Sequence, residues 1–501
     1  MDSRTAPRPH LRILVALVAA LLLGSEASPI SPRLQGQGGS GSGLASIVLA
    51  SHGQDGLAPF YSLAEVGPAE RLATHVAAAQ PSSLASGPPY WLPVTRMQLP
   101  CGACVATVGL DGRIYALGGG PDGSAVQAYT PATTRWSLVA PMLHYCAFCA
   151  AATGPDGHIY AFSGNGPVVV TSTEAYAPQQ NRWLRLPDEP GDHFGGGAVR
   201  GPDGRLYVIG GTNGDNGEGE VDVYDTRAKR WTRVPDLPTP RAFLGVTLGL
   251  DERIYTVGGT PGTPDTLATV EAYNVSTRRW THLTDIPTSR EGLAAVAGAD
   301  GRIYAVGGAD ASTPSSPSPS YAEVNAYDPG TGRWQTVAPL RTARQFLAAV
   351  RGVDGRIYAV GGATSTDRIL TTVEAYGPLI SVTPPSVPVA GSVALTGTNF
   401  ATSATVTVTW GTAPGGGVLA TGHTTRAGTL LHPLRVRVPA GVRPGRYTLT
   451  AMDDRSRYPV TTSLGVGVHA SFGLAPTPPP LSQPTATPTT ITSLQARYVA
   501  L

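Results

Sequence analysis

An eight-residue pattern recurs six times along the chain, and its spacing constrains the fold more than any other feature. It reads GRIYALGG at Gly112–Gly119, GHIYAFSG at Gly157–Gly164, GRLYVIGG at Gly204–Gly211, ERIYTVGG at Glu252–Gly259, and GRIYAVGG at both Gly301–Gly308 and Gly355–Gly362. Successive copies lie 45 to 54 residues apart, which makes each copy one unit of a repeat architecture. A Tyr follows each copy, and five of these stand seven residues before a Trp: Tyr129 and Trp136, Tyr176 and Trp183, Tyr224 and Trp231, Tyr273 and Trp280, Tyr327 and Trp334. Tyr376 has no such Trp, while Trp91 stands alone before the first copy. From each of these six Trp to the next doublet (Gly118, Ser163, Gly210, Gly258, Gly307, Gly361) is 27 residues, so the length variation falls between doublet and Tyr.

These marks resemble the kelch repeat over the stretch from Tyr90 to Gly377. The resemblance implies a β-propeller of four-stranded antiparallel blades. Six blades are expected, with the strand around Trp91 completing the blade of Tyr376. The residues support this independently. Ile114–Leu117 and its counterparts are unbroken apolar runs, as expected of strands covered on both faces. Asp-Gly precedes five of the copies, which predicts type I′ hairpins, and Asp251-Glu252 predicts a different turn. The bare doublet glycines leave space that the Trp and Tyr rings are expected to fill.

The predicted innermost strands (Gly102–Gly109, Ala147–Gly154, Phe194–Gly201, Ala242–Gly249, Glu291–Gly298, Gln345–Gly352) consist of small and apolar residues. Apart from two cysteines their titratable groups are Arg200, Glu291 and Arg351. General acid–base catalysis needs such groups within hydrogen-bond reach of the reacting atoms, so catalysis in the channel is not expected. Seventeen residues ahead of each doublet one position varies round the ring: Cys101, Cys146, His193, Arg241, Arg290, Arg344. It shares a face with the variable loops, among which Ala309–Ala322 is the longest wall. Arg241, Arg290, Arg344 and His193 are therefore candidate ligand-binding residues for an acidic glycan or peptide. The competing role for these arginines is to brace loops.

Cys101, Cys104, Cys146 and Cys149 form two CxxC pairs in adjacent repeats, open to disulfides or to a tetrathiolate metal site. Residues 1–27 read as a secretory signal peptide: Arg4, Arg8 and Arg12, the apolar run Ile13–Leu23, and the small-x-small site Ser25-Glu26-Ala27. The apolar run is too short for a membrane span. A net charge of +2 with 14% charged residues points to neither nucleic acid nor an anionic membrane as partner. The expected location is secreted or cell-surface, with an extracellular glycan or protein as partner.

Residues 28–89 read as linker and 90–378 as the propeller. Residues 379–469 read as a β-sandwich, from alternating runs such as Thr405–Trp410 and Leu434–Val438. Ser381–Phe400 and Val438–Ala451 are similar to IPT/TIG-type immunoglobulin-like modules. Residues 470–501 form a Pro/Thr-rich tail. The expected fold class is thus all-β, a six-bladed kelch propeller followed by an immunoglobulin-like sandwich.

This layout is also similar to galactose oxidase and its relatives, which implies copper held by two Tyr and two His. Here His144 and His193 are the propeller histidines near the plausible face, His423 or His432 would have to reach back from the C-terminal domain, and no Tyr–His pair follows the family's order. The kelch-type sialic acid epimerases are a further resemblance, whose acid and base residues do not map onto this chain. No cofactor is expected unless the chain is oxidase-like, which implies copper.

Overall fold

The computed structural model describes residues 89–467, apart from short segments at 121–122, 163, 165–170, 214–215, 263–264, 311–318, 402, 412–416, 441 and 456–457. The signal-like segment, the linker to residue 88, the tail and most of the long loop wall lie outside the described residues. Every regular element described is a strand. No helix among the described residues is long and apolar enough to cross a membrane.

Four-stranded antiparallel sheets recur along the chain. Their innermost strands are Val105–Val108, Ala150–Thr153, Gly197–Arg200, Gly245–Leu248, Ala294–Ala297 and Ala348–Arg351. Each neighbours the next in sequence, and the last returns to the first. The sheets therefore stand around an axis with both faces covered, which is why second strands such as Ile114–Leu117 and Ile357–Val360 are buried at every position.

Trp91–Val94 pairs antiparallel with Val373–Tyr376, with Trp91 opposite Tyr376. It supplies the outer strand of the last sheet. The Trp91 and Tyr376 ring centroids lie 5.4 Å apart, against 5.1 Å for Tyr129 and Trp136 within one continuous repeat. Each indole N–H also reaches across to the preceding sheet, from Trp136 to Thr95 O at 3.0 Å and from Trp91 to Ala338 O at 3.0 Å. Second-strand and third-strand tyrosines stack from sheet to sheet, and the series closes from Tyr358 to Tyr129 at 5.7 Å. The tyrosines, with Trp91, Trp136 and Trp183, are core, and Trp231, Trp280 and Trp334 are half-buried against it.

Two local expectations require correction. In the hairpins before the second strands, the Gly takes positive φ (79° at Gly112, 85° at Gly355) while the preceding Asp does not. Gly109 N donates to Arg113 O and Gly112 N to Gly109 O, so the turn is a three-residue loop ending in an αL residue and not type I′. Glu252 takes the same conformation, at φ 62°, with the same pair of bonds from Gly249 and Glu252. The sequence change there does not change the turn. The doublet glycines likewise make room for backbone, not for rings. A Cβ on Gly210, Gly258 or Gly307 would lie 2.6 Å from the carbonyl oxygen of Arg241, Arg290 or Arg344 in the next sheet.

After residue 378 come a three-stranded sheet (Leu379–Thr383, Ser392–Thr398, Leu434–Arg437) and a five-stranded one (Ser386–Pro388, Val460–Gly467, Gly445–Asp453, Thr405–Trp410, Val418–His423). Val393, Leu395, Phe400, Val406, Val436 and Leu449 are buried between them. This unit is docked on the closing sheet. Tyr458 is fully buried, its hydroxyl donating to Gly355 O at 2.7 Å. The Asn399 side chain accepts from Tyr90 N and donates to Tyr90 O, both at 2.8 Å, and donates to Gly377 O at 2.9 Å. One amide thus ties the start of the closing outer strand to the end of its neighbour.

Candidate functional site

In an antiparallel meander the connectors into the innermost strands and the loops after the doublets share one face. The C-terminal unit contacts Val353, Asp354 and Gly355, which belong to the turn between the first two strands of the last sheet. That turn is on the opposite face. Among the described residues, the C-terminal unit's hydrogen bonds to the propeller thus fall on that opposite face and not on the face bearing the doublet loops.

On it, the variable connector residues do not point outward as a ligand-binding arc requires. His193, Arg241, Arg290 and Arg344 have no exposed surface. Arg344 Nη1 donates to Gly361 O at 2.9 Å and Thr372 O at 3.1 Å, and Nη2 pairs with Glu374. Arg290 Nη1 donates to Gly307 O at 3.1 Å, and Nη2 reaches Glu323 at 3.2 Å and also Asn325. Arg241 meets Glu271 at 3.0 Å and donates to Thr256 Oγ1 at 2.7 Å. Burial lowers all three guanidinium pKa values from the ordinary range, and the paired carboxylates act against it. The expectation of a cationic arc fails because each charge is neutralised inside its own sheet. The arginines are braces: their carbonyls also accept from the preceding doublet, as from Gly259 N to Arg290 O at 2.9 Å.

The partner position went unread in the sequence. Two residues before each repeat Tyr stands a buried polar side chain: Gln127, Glu174, Asp222, Glu271, Asn325 and Glu374. A polar residue at one fixed offset inside an otherwise apolar third strand was the available signal.

Cys101 is bonded to Cys104 and Cys146 to Cys149 as disulfides. The Cα atoms are 5.6 and 5.3 Å apart, within the range a disulfide spans. Of the two alternatives left open for these residues, the sulfur atoms adopt the disulfide. Here Gln127 holds the connector through backbone instead, accepting from Gln98 N and Leu99 N at 2.9 Å each. Glu174 accepts from Leu143 N at 2.9 Å and pairs with His144.

Beside this outer circle is an inner one that the sequence did not announce. Ala103 N donates to Phe346 O, Phe346 N to Gly292 O, Gly292 N to Phe243 O, Phe243 N to Gly195 O, Gly195 N to Phe148 O, and Phe148 N to Ala103 O, all at 2.7–3.0 Å. Each of these residues has positive φ, between 50° at Phe346 and 69° at Gly195. A non-Gly residue there costs on the order of 1–3 kcal/mol, and the closed ring of hydrogen bonds holds it in place. Bulky and small side chains alternate: Ala103, Phe148, Gly195, Phe243, Gly292, Phe346. The three Phe rings meet edge to face across the axis, with centroids 5.1–5.6 Å apart. A Cβ on Gly195 would lie 2.6 Å from the Phe243 ring and one on Gly292 2.8 Å from that of Phe346, so the glycines admit the neighbouring aromatics.

The Phe rings are half-buried. The axial cavity they bound is lined by Ala, Val, Leu, Gly and Phe with the Cys104–Cys149 edge, and presents no ionisable side chain. Glu291 and Gln345 precede Gly292 and Phe346 in the chain, bridged to Ala309 and Ala363, and do not line the cavity. Burial, with a smaller contribution from Asp310, pushes the Glu291 carboxyl up to about 7.

The histidines considered for copper are scattered among elements. His144 lies on Glu174, His193 on Asp222, His423 on a strand of the C-terminal unit beside Thr405, and His432 is exposed after it. Tyr145 approaches Gly120 O at 3.4 Å, and its neighbour Cys146 is in a disulfide. A set of two Tyr and two His is not assembled from these residues.

Residues 188–362 match the model of the KLHDC2/KLHL20/DRC7 Kelch-repeats domain. No curated protein matches the chain. Among solved structures, YjhT is similar with a TM-score of 0.50 at 15% identity, covering 58% of this chain and 97% of its own. A fungal alcohol oxidase of the AA5 family, in complex with copper, aligns at 18% identity over 75% of this chain and 99% of its own, with a TM-score of 0.46. At these identities a likeness bears on fold. The family-model match and the fold likeness to YjhT, taken with the registered doublets, the stacked Tyr–Trp pairs and the recurring four-stranded sheets, support a kelch-repeat β-propeller for the repeat region.

Proposed function

We propose that this chain is an exported recognition module: a six-bladed propeller with an immunoglobulin-like sandwich fixed beneath it, binding an extracellular glycan or protein segment at the mouth of the axis. The observation that carries this reading is the triad Phe148, Phe243 and Phe346, half-buried over a cavity without ionisable groups, on the face opposite the sandwich's hydrogen bonds. Aromatic side chains held rigidly on a scaffold contribute contact area at little entropic cost, which suits recognition. With Arg241, Arg290 and Arg344 internally neutralised, the ligand is argued from apolar contact and not from acidity. The two disulfides support an oxidising compartment.

The test is binding of the purified chain to arrays of neutral and acidic glycans and of peptides, followed by Phe243→Ala and Phe346→Ala. Each substitution is expected to weaken the captured interaction at least tenfold with the melting temperature kept within a few degrees. Equal binding by both variants overturns the mouth as the site. Copper-dependent hydrogen peroxide release from a primary alcohol or galactoside overturns recognition in favour of the oxidase alternative, and turnover of a sialic acid anomer favours the epimerase.

A further inference from the structure

The third sheet departs from its neighbours at one brace, and the departure has the chemistry of a metal site. His193 occupies the position that arginine fills in the next three sheets, yet imidazole does not reproduce a guanidinium's set of donors. Its Nδ1 lies 2.7 Å from Gly210 O. A carbonyl only accepts, so Nδ1 carries the proton, and Nε2 is directed at Asp222 Oδ2, 3.2 Å away. Glu220 stands two residues before Asp222, on the same side of the chain. Its Oε1 is held by Arg233 at 2.7 Å. Ligand atoms of His193, Glu220 and Asp222 all lie within 4.8 Å of one another.

What keeps the space between them open is Gly191. A Cβ there would collide with Glu220 Oε2 and stand 3.1 Å from Asp222 Oδ2 and 3.4 Å from His193 Nε2. It would sit where the three donors converge. Gly191 does not have positive φ, so backbone conformation does not demand glycine at this position.

We propose that His193 Nε2, Asp222 and Glu220 bind a divalent transition ion of the zinc class, between the third sheet and its entering connector. One neutral imidazole with two carboxylates is a borderline donor set that suits such an ion. The bond from Nδ1 to Gly210 O is the outer contact that fixes the tautomer of a ligating histidine, and Arg233 does the same for Glu220. The ion takes over the charge that arginine supplies in the next three sheets, and ties the connector to the third strand as the guanidinium does there.

The test uses the full chain with its disulfides intact, stripped with chelator and titrated with Zn²⁺ by calorimetry and by metal analysis after dialysis. Gly191→Ala fills the cradle and leaves the ligands in place, while His193→Arg restores the brace used by the next three sheets. The wild type is expected to retain one equivalent more Zn²⁺ than either variant. Zn²⁺ is expected to raise its melting temperature by several degrees and to leave both variants unmoved. Equal retention by wild type and Gly191→Ala overturns the site, as does a wild type that binds no Zn²⁺, in which case the direct contact of His193 with Asp222 is itself the brace. Should Gly191→Ala fail to fold, His193→Arg carries the same decision.

Discussion

From Arg241 to Arg344 each connector is held by a buried guanidinium paired with a carboxylate, on the third strand at Glu271 and Glu374 and just before it at Glu323, whereas at Cys101 and Cys146 the same position is closed by a disulfide to the residue three places on. The cystine side chain is too short to reach the third strand, and Gln127 and Glu174 turn to the connector backbone instead. Glu374 does both, accepting from Arg341 N at 2.8 Å and pairing with Arg344. The polar third-strand residue is thus the constant of the design, and the connector residue is the variable that can be exchanged around it.

The comparison breaks most sharply at a brace. Arg344→Ala leaves Glu374 buried without its cation and removes the guanidinium donor to Gly361 O, so stability should fall by about 3–5 kcal/mol in denaturant unfolding. The double change Arg344→Met with Glu374→Leu removes both charges and should recover most of that loss. If the single and double variants unfold at the same midpoint, the brace contributes shape and not charge pairing.

On the cystine side the expected effect is smaller. Cys101→Ser with Cys104→Ser opens a loop of only four residues, for which chain entropy gives about 2 kcal/mol. The bond from Gly362 N to Cys101 O at 2.7 Å is backbone and survives the change. A loss larger than that of Arg344→Ala would reverse the ranking of the two arcs.

How far the sequence carried these features depends on their range. Doublets, Tyr–Trp spacing and the stray Trp91 record pairings repeated at a fixed period, and the propeller and its closing strand were legible from them. The arginines were legible as positions but not as directions, because whether a side chain faces solvent is decided by Glu271, Glu323 and Glu374, some 30 residues further on. The Phe ring was hidden for another reason. Ala103, Phe148, Gly195, Phe243, Gly292 and Phe346 share a backbone conformation and not a residue type, and only closure around the axis forces that conformation on them. The C-terminal unit's hold on the closing sheet, through Asn399 and Tyr458, likewise joins residues that no local pattern links.

A pH-dependent contrast lies beside the inner circle, where the two arcs differ by one acid. Glu291 follows the brace Arg290, while Gly102 and Ala147 follow Cys101 and Cys146. Burial, aided by Asp310, pushes its carboxyl up to about 7 from an ordinary 4.5. The folded chain therefore holds the proton more tightly than the unfolded one. The resulting stabilisation is fully present below pH 4.5 and is lost as the pH rises through 7. Glu291→Gln keeps the neutral shape and removes the titration. In paired urea unfolding the wild type should lose stability relative to Glu291→Gln as the pH rises from 5 to 8. Parallel curves across that window would mean that the acid is solvated, and the two arcs would then differ only in their braces.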